Sequence, residues 1–257
     1  MRTLTLGLLC FFFSSLLLAQ TPEVQPQRPA AHDGGTREVL ESIVIPPIPN
    51  HPFTATLQTE WIRYTGDGGT ITLANERPLA RDSKGRIYQE RWLLVPKFGK
   101  VKSQMNWIQI ADPAQHTLYS CNPFRRICEL ETYDPTNELT AAEPRKPIPN
   151  GTLVQDQLTI EDLGTKTIAG VDTVGRRETN TIDVGVMGND QPLTATSETW
   201  HSQELGVNLW SIRTGPMIGK QNFTITELSA TEPDHALFKV PAGYEIRDLR
   251  KKPRISW

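Results

Sequence analysis

Hydrophobic and polar residues alternate through most of this chain, with short turn signals between the runs. In FTATLQTEW, residues 53–61, the apolar Phe53, Ala55, Leu57 and Trp61 keep one phase, while Thr54, Thr56, Gln58 and Glu60 keep the other. A period of two belongs to a strand buried on one face only. Comparable runs follow: ITLANERPLARD after the turn at 66–69, IYQERWLLV after 83–86, and Met105, Trp107 and Gln109 up to Asp112-Pro113. After these come TATSETWHS, VNLWSIRT and QNFTITELSA, separated by Gly-containing turns. Many short strands with few helix signals predict a mainly β, antiparallel meander. Gly164 and Gly170 are expected to bracket a short hairpin arm, and GVMGNDQP (185–192) a loop whose Gly-Asn-Asp suits positive φ.

Three stretches depart from the pattern. REVLESIVI (37–45) suits a short helix or a first strand, and PPIPNHP (46–52) stops it, because proline lacks the amide donor and fixes φ. Residues 134–157 hold four Pro among polar residues and read as a long loop with at most one helical turn. In EPDHALFKVPAGYEI, Asp234 is placed to cap a short segment that lays Phe238, Val240 and Tyr244 against the sheet.

The two ends of the chain differ from the β region. Arg2 and the apolar run behind it, MRTLTLGLLCFFFSSLLLAQ, have the layout of a secretory signal peptide, with an uncleaved anchor as the alternative. The expected division is therefore a signal peptide at 1–19, a Pro-rich linker at 20–45, a β-rich domain at 46–250 and a basic tail at 251–257. No later segment is apolar and long enough to span a membrane, so no transmembrane span is expected after signal removal.

Export changes the meaning of the cysteines. Cleavage removes Cys10 and leaves Cys121 and Cys128 for an oxidising compartment. Six residues separate them, more than the usual spacing within a zinc ligand pair, and C-x-x-C is absent. Their flanks alternate like paired strands around Asn122-Pro123-Phe124-Arg125-Arg126, so a cross-strand disulfide closing a hairpin is predicted. A net charge of −2 and the leader argue against a nucleic-acid partner.

Candidate catalytic chemistry is thin. There is no G-x-S-x-G, and Ser202 beside His201 is only a neighbour pair. The five His, at 32, 51, 116, 201 and 235, form no H-x-H or H-x-x-x-H pair, so no metal site is expected. Glu198, Glu227, Glu232 and Asp234 read as solvated carboxylates rather than an acid–base pair, and no cofactor is expected. Leu57, Trp61, Met105, Trp107, Trp200, Leu209 and Trp210 either fill a core or line an apolar groove.

Four stretches carry a resemblance. LGTKTIAGVDTVGRRETNTIDVGVMGND, SETWHSQELGVNLWSIRTGP, ITELSATEPDHALFKVPAGYEI and IQIADPAQHTLYSCNPFRRICELETY resemble a group of secreted bacterial proteins of unknown function, over roughly residues 50–250. More distantly, a long meander ending in LFKVPAGYE is similar to the periplasmic lipoprotein-carrier (LolA/LolB-like) architecture. That resemblance implies a strongly curved sheet, an incomplete barrel that holds acyl chains on its concave side. It therefore implies a periplasmic or secreted, non-enzymatic protein that binds a lipid, a lipoprotein or another apolar ligand. The alternative is a structural or interaction module with a filled core and an envelope protein as partner.

Overall fold

The computed structural model describes residues 43–136 and 156–250. The expected signal peptide, the linker up to residue 42, the loop from 137 to 155 and the tail at 251–257 lie outside the described residues. The described part is mostly strand. It comprises β1 (Phe53–Tyr64), β2 (Thr70–Arg81), β3 (Ile87–Trp92), β4 (Val95–Pro96), β5 (Met105–Asp112), β6 (Thr117–Asn122) and β7 (Ile127–Thr132). It continues with β8 (Asp156–Ile168), β9 (Val171–Ile182), β10 (Leu193–Ser202), β11 (Val207–Gly215), β12 (Gly219–Ser229) and β13 (Glu245–Asp248). A single 3-10 turn, His235–Phe238, precedes β13.

All thirteen strands share one open, curved sheet in the order β13-β7-β6-β5-β3-β2-β1-β12-β11-β10-β9-β8, with β4 paired to β2. It does not close into a barrel. The sheet is two meanders, β1–β7 and β8–β12, joined by the antiparallel pair β1 and β12. The first strand therefore lies in the middle, which tandem turn signals alone do not reveal. One pair, β13 with β7, is parallel.

Alternation gives the sheet two chemically distinct faces. On the Leu57 face, Phe53, Ala55 and Leu57 meet Leu79, Ile87, Ala111, Leu205, Val207, Leu209, Phe223 and Ile225 in one buried cluster. Ile43 and Ile45, on the linker side of the expected boundary, belong to this cluster, and residues 43–45 form neither helix nor strand. On the other, Tyr88 face, Ala80, Ile108 and Ile110 pack with the disulfide, Phe238, Val240 and Tyr244. Asp234 caps the 3-10 turn by accepting from the Ala236 amide at 2.8 Å, and so sets Phe238 onto the sheet. Cys121 and Cys128 face each other across β6 and β7 and are bonded, with Sγ–Sγ 2.04 Å.

Bulges decide which face a side chain reaches, because one extra residue reverses the alternation. They occur on β12 opposite Thr54–Thr56, opposite Arg91–Trp92, at Asp162–Gly164, and opposite Trp200–His201. Gly164 does not end a short arm: β8 and β9 form one long hairpin, and Gly164 is the bulge within it. The hairpin turns on Ala169 and Gly170, both at positive φ, the geometry of a tight two-residue turn. In the 185–192 loop positive φ falls on Gly185 and Gly188, not on Asn189 or Asp190.

Candidate functional site

From the closed end of the Leu57 face toward the other end, side chains change from apolar to polar. The closed end is built around Arg81. Its guanidinium donates from Nη1 to the Pro46 carbonyl (2.8 Å), from Nε and Nη2 to the His51 carbonyl (3.0 and 2.9 Å), and from Nη2 to the Leu205 carbonyl (2.7 Å). It also lies 5.0 Å from the Phe53 ring centroid. Burial pushes its pKa down to about 10, so it stays cationic at neutral pH. Arg81 thereby ties the 46–51 segment and the β10–β11 turn to the sheet.

Two rows further along, Arg77 stands opposite Leu57 and is 4% exposed. Its Nη1 donates to Gln89 Oε1 (3.3 Å) and to the Glu90 carbonyl (3.1 Å). Burial, and then the charge of Arg91, push its pKa down to about 9. Buried Thr59, Ser211 and Gln221 continue this polar band. Beyond it stand half-buried Trp61 and Trp107. Trp61 Nε1 donates to the Ile218 carbonyl at 2.7 Å, and Arg63 lies 5.2 Å from the ring. The upper half of this face thus offers indole walls around a cationic and amide floor.

The expected groove residues divide between the faces. Leu57, Trp61, Trp107 and Leu209 lie on the Leu57 face, where Leu57 and Leu209 are fully buried in the core. Met105 packs against the Tyr88 cluster, because the bulge opposite Arg91–Trp92 puts it out of phase with Trp107. Trp200 and Trp210 face each other across β10 and β11, also on the Tyr88 side. Trp200 lies flat on β9: a Cβ on Gly175 would come within 2.7 Å of its ring. Lys166 Nζ caps this arrangement at 3.6 Å from the Trp200 ring and 4.8 Å from the Trp210 ring. Glu198 accepts from Trp200 Nε1 at 2.9 Å and pairs with Arg177 at 3.0 Å. Burial raises the Glu198 pKa, but these two hydrogen bonds and the charges of Arg177 and Lys166 bring it below the ordinary glutamate value.

Arg77, Arg81 and Gln221 are buried polar groups that the sequence analysis does not single out. For the two arginines the signal is the phase of β2: Ile71, Leu73 and Leu79 share one face, and the same phase points Arg77 and Arg81 inward; Gln221 on β12 keeps the phase of Phe223 and Ile225.

The residues weighed for catalysis have the following partners. Ser202 is fully buried, and its Oγ accepts from the Leu205 amide at 3.2 Å, whereas His201 Nδ1 meets Asn208 Oδ1 at 3.0 Å. Asp82, Glu232 and His235 bring ligand atoms within 4.8 Å of one another. However, Asp82 Oδ2 is held by Arg86 at 2.6–2.7 Å, and Oδ1 accepts the Lys84 and Arg86 amides. Glu232 accepts from the Ser83 amide and hydroxyl. Arg86 thus already pairs the Asp82 carboxylate, and the Ser83–Glu232 bonds join the β2–β3 turn to the C-terminal segment. Among the described residues no helix is long and apolar enough to cross a membrane.

No protein-family model matches the chain, and no curated protein matches it. Solved structures do match. An uncharacterized conserved protein from Thermus thermophilus gives a TM-score of 0.40 at 9% identity, over 77% of this chain and 91% of that one. The MucA/MucB complex of Pseudomonas aeruginosa gives 0.36 at 14% identity, over 77% of this chain and 58% of that one. Lipoprotein LppX of Mycobacterium tuberculosis gives 0.30 at 11% identity, over 71% and 88%. None of these scores reaches 0.5, and no functional residue is carried over from them.

Proposed function

We propose that this chain is an exported, non-enzymatic envelope protein that binds a lipid, a lipoprotein acyl chain or another apolar ligand on the upper Leu57 face. The observation that supports this reading is the gradient on that face. A closed apolar core gives way to half-buried Trp61 and Trp107 beside the buried cation Arg77. Indole surfaces bury apolar ligand area, and a few fixed polar groups orient it, which is the composition of a small-molecule site. Displacement of a fluorescent fatty acid from the purified protein tests it. Uptake is expected, with Trp61→Ala and Trp107→Ala each weakening it by roughly tenfold while the fold is retained. Absence of uptake, or uptake indifferent to both substitutions, counts against the assignment.

One observation favours a second reading, a protein-interaction module with a filled core. Among the described residues the long strand β8 forms one edge of the sheet and pairs only with β9, which favours strand addition on its outer side. A partner strand would slow amide exchange along β8, and the fatty-acid assay would then register nothing.

A further inference from the structure

The two ends of the sheet differ in what their turns expose. In an antiparallel meander alternate turns fall at the same end. The β2–β3, β5–β6, β8–β9 and β10–β11 turns therefore share the end closed by Arg81, and none of them exposes a large hydrophobic side chain. The opposite end carries the β1–β2, β4–β5, β6–β7, β9–β10 and β11–β12 connections. There Tyr64, Phe98, Val101, Phe124, Met187 and Met217 are 64, 89, 63, 67, 54 and 53% exposed. These tips follow the strand order across the sheet. They form a discontinuous apolar rim rather than one groove.

Cations gather in two of these connections, whereas Asp67 lies in the β1–β2 turn and Asp183 and Asp190 in the β9–β10 loop. The KFGKVK run (97–102) and the PFRR run (123–126) carry five cations and no carboxylate, in a chain whose net charge is −2. Lys97 is paired with Glu60 at 2.6 Å and lies 5.9 Å from the Phe98 ring. Its backbone is held to β2 by a 2.9 Å bond from the Lys97 amide to the Thr72 carbonyl. The loop is therefore anchored at its base and presents Phe98, Lys100, Val101 and Lys102 outward. Aromatic and aliphatic tips interleaved with cations match the interface of an anionic bilayer. The apolar groups enter the acyl boundary, and the ammonium and guanidinium groups stay at the phosphates.

We propose that this rim docks the protein on an anionic phospholipid surface, with Phe98 and Phe124 inserted and Lys100, Lys102, Arg125 and Arg126 on the headgroups. The rim residues are not those assigned to the ligand face, Trp61, Trp107 and Arg77, so separate variants test the two assignments.

Co-sedimentation of the full chain with vesicles tests this. Vesicles of phosphatidylcholine with about 30% phosphatidylglycerol are compared with phosphatidylcholine alone, from about 0.05 to about 0.5 M salt. Salt-sensitive binding to the anionic vesicles only is expected. Lys100→Glu/Lys102→Glu lowers it by at least roughly 25-fold, and Phe98→Ser lowers it by roughly tenfold, with thermal midpoints unchanged. Lys84→Glu, at the opposite end, leaves it unchanged. The proposal is overturned if the protein stays in the supernatant with both vesicles, as it would if the rim met only a protein. Equal binding to neutral vesicles, or equal losses in the Lys84 and rim variants, also overturns it. Loss of vesicle binding in the rim variants with normal fatty-acid uptake separates this rim from the ligand face.

Discussion

Replacing Arg81 with Met tests whether one guanidinium closes the end of the sheet. The side chain is fully buried, and three backbone carbonyls, of Pro46, His51 and Leu205, accept its four N–H contacts. Removing the donor takes this partner from the His51 and Leu205 carbonyls, at about 1–3 kcal/mol each, while the Pro46 carbonyl still accepts the Ile48 amide at 2.9 Å. Part of this loss is returned, because methionine carries no desolvation penalty and packs against Phe53. Breaking a buried charged network from one side costs about 3–5 kcal/mol net. For a domain of this size each kcal/mol moves the midpoint by about 2–4 °C, so a fall on the order of 10 °C is expected. Differential scanning calorimetry measures it. Arg81→Lys should fall roughly half as far, since one ammonium cannot reach all three carbonyls that the planar fork spans. A Met variant melting within about 2 °C of the parent would refute the assignment of Arg81 as the closing group.

Other consequences can be measured directly. Cys121→Ala/Cys128→Ala removes a link closing a sequence separation of 7. Denaturant unfolding should show a loss on the order of 2.5 kcal/mol, and reductant should affect the parent but not the variant. Glu198, whose pKa lies below the ordinary glutamate value of 4.5, contributes stability that is present above that value and is lost as pH falls through its folded pKa. Tryptophan emission followed below pH 4.5 should report the loss of the Trp200 contact, and Glu198→Gln should flatten that transition.

Much of the fold can be read from alternation, because a half-buried strand writes its faces into the chain. Phe53, Ala55 and Leu57 are buried in phase, and Cys121 and Cys128 pair across a hairpin. The face of each groove candidate is less accessible to that reading. Met105 and Trp107 are two apart and should share a face, but the bulge opposite Arg91–Trp92 separates them. No periodicity marks a bulge in advance, so the sequence alone groups Met105 with Trp107. The pairing of β1 with β12 is also a long-range event, set by packing rather than by any local turn. Arg77 and Arg81 are hidden for a different reason. Charged residues in a strand ordinarily face water, and only the partners folded around them make burial tolerable.

Native mass spectrometry of the protein purified from an envelope fraction addresses the ligand claim most directly. An added mass that corresponds to an acyl lipid or acylated peptide, and that falls off in Trp61→Ala, is the expected spectrum. A bare polypeptide mass in the parent, unchanged after incubation with fatty acid or phospholipid, contradicts the account.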